Sequence, residues 1–191
     1  MLKAVFIRYL FKKLLLASAA VAVSFMLLVG FDLTTYNQLT AQQEIMRVSI
    51  KRLANDHFQL SLQDDEKTRQ FELAGDEWQV DLRLIRLQPY VALTGNSLFY
   101  QFERLSSRYR SIDEEMQKQR YLYSLTDHKA LDVWKMVKKF PPMEPLIASV
   151  YGSSVYMPLA DGAEYRISVG FSGVVAEDMN DVSRQAVSNW Q

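Results

Sequence analysis

The sequence predicts an α+β protein: one N-terminal transmembrane helix followed by a mainly antiparallel β-sheet domain with one amphipathic helix. Three observations carry that expectation. Leu14 to Phe31 reads LLLASAAVAVSFMLLVGF, with no charge between Lys13 and Asp32. From Glu44 onward apolar and polar residues alternate, the period of half-buried strands. Only near Thr126 to Lys139 does the spacing become helical.

Each element can be justified in turn. At about 1.5 Å per residue, a helix over Leu14–Phe31 spans roughly 27 Å, close to the ~30 Å of a bilayer's hydrocarbon. Its leucines, valines and phenylalanines favour insertion by roughly 3 to 6 kcal/mol together. A cleaved signal is the alternative, but signal cores run about 7–15 residues and end at a small-x-small site. Here the small cluster Ala17-Ser18-Ala19-Ala20 comes early, and the run ends in Val29-Gly30-Phe31-Asp32. An uncleaved anchor fits better. A buried core helix fits worse, because a helix apolar on every side needs cover on every side. Lys3, Arg8, Lys12 and Lys13 precede the run and no acidic residue does. A positive flank stays cytoplasmic, so the C-terminal domain is expected across the membrane.

Asp32 to Gln43 reads as the helix end and a short stalk, with Tyr36 placed for the interface. Met46, Val48 and Ile50 then alternate with Arg47, Ser49 and Lys51; Phe58, Leu60 and Leu62 with Gln59 and Ser61. Phe71 and Leu73 follow, then Trp78, Val80, Leu82 and Leu84. Asn55-Asp56, Asp64-Asp65-Glu66 and Ala74-Gly75-Asp76-Glu77 supply the turns, so these four segments read as one antiparallel meander. At Leu84-Ile85 and Leu87 the alternation slips, which predicts a bulge or a strand end.

Gln88 to Ser97 reads as a loop, Phe99 to Tyr109 as a strand, Asp113 to Gln119 as a charged turn, and Tyr121, Tyr123 and Leu125 as a strand. Ala130, Trp134 and Val137 sit at helical spacing after an N-cap at Thr126 or Asp127, and Pro141-Pro142 stops that helix. Ser154–Met157 and Tyr165–Val169 flank Ala160-Asp161-Gly162-Ala163 as a hairpin signal. The domains are therefore 1–36, basic flank and anchor; 37–176, a β-rich domain across the membrane; and 177–191, a flexible polar tail with a frayed helix at best.

Composition narrows the chemistry. There is no cysteine, hence no disulfide, thiolate nucleophile or thiolate metal site. From Asp32 onward the chain is four charges on the acidic side, which argues against a nucleic-acid partner. His57 and His128 have no ligand or base spacing. Gly170-Phe171-Ser172-Gly173-Val174 lacks the last glycine of a nucleophile elbow. The acidic clusters at Asp64–Glu66, Asp113–Glu115 and Glu177–Asp181 lack the alternating ligands and central glycine of a calcium loop. No catalytic residue, metal site or cofactor is expected.

Two candidate sites remain. Trp78, Tyr100, Phe102, Tyr121 and Tyr123, with Tyr90, Phe99 and Tyr109 nearby, either line an aromatic binding face or fill the sheet core. Ser18 and Ala22, and Ala20 and Ser24, lie four apart in the anchor. Small residues at that spacing let helices approach, which offers self-association or a membrane-protein partner beside the lipid bilayer itself; the alternative is that Ala and Ser are simply tolerated anywhere in a span.

The stretches FELAGDEWQVDLRLIRL (71–87), FERLSSRYRSIDEE (102–115) and VYGSSVYMPLADGAEYRISV (150–169) resemble a group of small uncharacterised membrane proteins of Gram-negative bacteria. Some of these are labelled cation or multidrug efflux pump or transporter. The resemblance implies a bacterial inner-membrane protein with its C-terminal domain in the periplasm and a transport context, and no site residues. A single span cannot enclose a polar path, so the expected role is a non-catalytic accessory or interaction module. A ligand-binding or sensing domain with an aromatic face is the alternative, and an envelope hydrolase the third.

Overall fold

The computed structural model describes residues 2–33, 37–39, 43–54, 56–65, 67–88, 91, 97–126, 134, 139, 145–170 and 173–190. A continuous helix, α1 (Leu2–Leu33), is followed after three residues by the first strand, β1 (Asn37–Leu39). The body of the chain is a mainly antiparallel β-structure with few helices.

Among the described residues ten strands form two five-stranded sheets. Sheet A holds β1, β5 (Glu77–Leu87), β6 (Leu98–Arg108), β7 (Leu122–Ser124) and β8 (Ile147–Pro158). β6 and β8 flank β5, and β1 and β7 share the far edge of β6. Sheet B runs β10 (Gly173–Asp178), β9 (Glu164–Gly170), β2 (Gln43–Ala54), β3 (His57–Gln63) and β4 (Thr68–Ala74). Every pairing is antiparallel.

The sheets face each other because alternation gives each an apolar side that must be covered. Met46, Val48, Ile50, Phe58, Leu60, Leu62 and Leu73 from sheet B meet Trp78, Val80, Leu82, Leu84 and Leu105 from sheet A. A bulge between Glu44 and Met46 lets both Ile45 and Met46 point inward. The rings of Trp78 and Tyr165 pack across the layers at 5.6 Å, and Phe71 and Tyr123 at 5.1 Å.

The four-strand meander is corrected at its last step. β2, β3 and β4 pair in sequence, but β5 crosses to the other sheet. Gly75 permits that crossing: its φ is +142°, and a Cβ there would lie 2.7 Å from the Arg108 carbonyl oxygen. Asp76 N–H donates to the same carbonyl. The hairpin expected across Ala160–Ala163 is corrected in the same way, since β8 and β9 belong to different sheets. The tight hairpin is instead β9–β10, where Gly170 faces Gly173.

Residues 113–119 contain a helix, α2 (Ile112–Gln117), not a turn alone. The slip expected over Leu84-Ile85 and Leu87 is found as a bulge and a strand end: the β5–β8 register shifts between Arg86 and Leu87, where β5 stops, and Ile85 packs with Phe99 on the outer side of sheet A. The polar tail is ordered onto the fold: β10 reaches Asp178, and α3 (Asp181–Ser188) starts with a capping box between Asn180 and Ser183. Of the amphipathic helix expected over 126–139, only Thr126, Trp134 and Lys139 are among the described residues, the last two helical.

Candidate functional site

The aromatic positions come together, but as core. Trp78 is fully buried and Tyr100 and Phe102 nearly so. Tyr121 and Tyr123 are half-buried against the same cluster. Tyr123 lies edge to sheet B, its hydroxyl donating to the Glu72 carbonyl at 2.8 Å. The two sheets cover these rings because the rings sit on the inward positions of β5 and β6 and along β7. Of the two readings, binding face or sheet core, Trp78, Tyr100 and Phe102 take the core, and Tyr121 and Tyr123 pack half-buried against it.

The anchor candidates lie apart from the domain core. Ser18, Ala20, Ala22 and Ser24 are all exposed on α1. Ser18 Oγ donates to its own helix, at the Leu15 carbonyl, 2.9 Å away, so that hydroxyl has a bond without a second helix. Around them Tyr9, Phe11, Leu14, Leu15, Leu16, Val21 and Val23 are exposed as well. Three consecutive leucines point about 100° apart, so the uncovered apolar surface runs around the helix rather than along one stripe. Among the described residues no helix is long and apolar enough to cross a membrane, the described side chains of α1 ending at Ser24.

Sequence reasoning missed the outer face of sheet A. β5 sends Glu77, Gln79, Asp81 and Arg83 to that side, and two of them, Glu77 and Asp81, are buried. Asp81 accepts from Gln79 Nε2 and Ser154 Oγ at 2.6 Å each, and from the Arg104 guanidinium. Burial pushes its carboxyl up, yet the bonds from Ser154, Gln79 and Arg104 prevail and hold it below the usual carboxylate range. The β6 bulge opposite Asp81 and Leu82 makes this set. Its extra residue, Glu103, meets Arg83 at 2.6 Å while Arg104 reaches Asp81. Glu77 accepts from the Trp190 indole at 2.7 Å, with Arg110 at 3.6 Å and Arg108 at 3.9 Å. The only signal for these buried acids was their place on alternate positions of β5, which equally describes solvated charges.

The constellation pairs two buried carboxylates, Glu77 and Asp81, with arginines that stay partly exposed. Each carboxylate is tied to cations and neutral donors, so it braces the sheet instead of offering a base. Among the described residues no group of acidic or histidine side chains could hold a metal. His57 stands edge-on to Tyr121, ring centres 6.2 Å apart; His128 lies outside the described residues. A shallow cleft of about 210 Å³ is lined by Arg47, Val48, Ser49, Gln63, Glu164, Tyr165 and Met179, small for an organic ligand. Comparison with protein-family models, curated proteins and solved structures finds no match.

Proposed function

We propose that this chain is a bitopic inner-membrane protein whose β-rich domain works in the periplasm as a non-catalytic interaction module. The observation that carries the reading is the uncovered apolar surface of α1, from Tyr9 to Val23. Such surface on all sides of a helix needs lipid or protein around it. The uncharged run to Phe31 and the unbroken helix to Leu33 support lipid. The four basic residues before the run support a cytoplasmic N-terminus. The body of the chain supports a scaffold: its aromatic rings are core, and its buried acids are neutralised by arginines.

The resemblance to efflux-labelled membrane proteins favours an auxiliary place beside an envelope transport complex. Copurification from mild detergent tests this: an equimolar membrane-protein partner is the expected result. A lone, monodisperse protein that binds a small solute would favour the ligand-binding reading instead.

A further inference from the structure

α1 is longer than a bilayer requires. Its 32 residues rise about 48 Å at about 1.5 Å each, against ~30 Å of hydrocarbon. The helix does not break where the uncharged run begins. It continues from Leu14 back to Leu2, so the residues before Leu14 keep fixed places around the same axis.

Four of those residues share one side. Successive residues turn by about 100°, which sets Arg8, Lys12, Tyr9 and Lys13, in that order, within an arc of about 140°. All four are exposed. The Lys13 ammonium sits over the Tyr9 ring, 4.7 Å from its centre, and Arg8 and Lys12 stand one turn apart beside that pair. Along the axis the group lies about 1.5 to 9 Å before Leu14. The headgroup layer is about 5 to 7.5 Å deep on each side of the hydrocarbon, so in a bilayer the cluster stands at the depth of the lipid phosphates.

The helix offers these cations no counter-charge nearby. No acidic residue precedes Asp32, about 30 Å of helix beyond Lys12. Arg8 and Lys12 are like charges four residues apart, an unfavourable pair on a helix surface. An anion seated between them removes that repulsion. Phosphate suits the place, because a guanidinium presents paired N–H donors to two oxygens and an ammonium adds a compact charge. The Tyr9 hydroxyl supplies a further donor at the wet end of an apolar ring.

We propose that Arg8, Tyr9, Lys12 and Lys13 form a binding site for the phosphate of an anionic phospholipid in the leaflet around the N-terminal end of α1. The site deepens the membrane reading given above and rests on it. Arg8 and Lys12 hold the phosphate, and the Tyr9 ring with Lys13 borders the acyl chains. Anionic headgroups are preferred because a zwitterionic lipid brings its own cation to a site that already has three.

Native mass spectrometry of the full chain in mild-detergent micelles tests the site, with phosphatidylglycerol and phosphatidylcholine of identical acyl chains as probes. The expected result is at least about fivefold tighter retention of phosphatidylglycerol. Arg8→Gln with Lys12→Gln should bring the two affinities within about twofold. Ile7→Lys with Lys12→Gln should do the same, because it keeps the number of cations and moves one by about 140° around the helix. Glutamine and lysine are good helix formers, so α1 persists in both. Lys51→Gln, at an exposed cation of β2, should leave the preference intact. Equal affinities in the native chain, a preference that survives relocation of the cation, or one that excess inorganic phosphate removes would each overturn the proposal. Flotation with phosphatidylcholine vesicles reads the anchor separately. A chain that floats yet shows no preference sinks the site alone; one that does not float sinks the membrane reading and the site together.

Discussion

The Trp190 indole N–H donates to the Glu77 carboxylate at 2.7 Å, joining the end of the chain to the first residue of β5 across 113 residues of sequence. The same ring stacks edge-on with Tyr156, whose face is covered by the Arg108 guanidinium at 4.7 Å. Residues after α3 thus latch onto the outer face of sheet A. Trp190→Phe keeps the ring and deletes the donor to a charged acceptor, a loss of about 1.5–3 kcal/mol. Urea unfolding of the domain followed by circular dichroism should show that drop. An unchanged midpoint would mean that the C-terminal latch contributes nothing to the folded state.

The Trp78 ring fills the core against Tyr165, but its indole nitrogen is buried with no hydrogen-bond partner among the described residues. Trp78→Ala should therefore cost about 3–5 kcal/mol through the cavity it leaves. Trp78→Phe should cost less than half of that, because it also removes an unsatisfied donor. Equal losses in chemical denaturation would show that the nitrogen is bonded in solution.

Much of the sheet structure was legible in sequence, because alternation of the Met46-Val48-Ile50 kind reports burial of one face directly. The partner of each face was not legible. Gly75-Asp76 has the residues of a hairpin turn whether β5 folds back on β4 or crosses to the other layer, and only the approach of Arg108 decides it. The short α3 was hidden for a different reason. Ser183 is its only buried residue, so there is no apolar stripe to read. Asp81 and Glu77 stood on alternate positions like any solvated charges. Their burial comes from Arg104 and Trp190, which are distant in sequence.

Acid sensitivity follows from Asp81. Its hydrogen bonds hold the carboxyl below the ordinary value in the folded state, while in the unfolded chain it titrates near about 3.9. Below that value the unfolded state binds more protons, so the contribution of Asp81 is complete above about pH 4 and fades as pH falls through the folded value. Denaturation midpoints measured from neutral pH down to about pH 2 should fall along that limb. Asp81→Asn should lower stability at neutral pH and flatten the limb. An acid limb of unchanged steepness would assign it to other carboxylates.

The small residues of α1 give a prediction about association. If Ser18, Ala20, Ala22 and Ser24 form a close-contact stripe, Ala22→Leu should lower crosslinking yield in membranes several-fold while Val23→Leu leaves it unchanged. Equal yields would reduce α1 to a tether and leave partner contacts to the domain.

The central claim is that one basic-flanked helix holds the β-rich domain on the far side of the inner membrane. Protease treatment of cells carrying an N-terminally tagged full chain measures it most directly. Intact cells should keep the domain, and spheroplasts should lose it while the tagged N-terminus stays protected and membrane-bound after carbonate washing. A domain that survives in spheroplasts, or a chain released from the membrane by carbonate, would contradict the account.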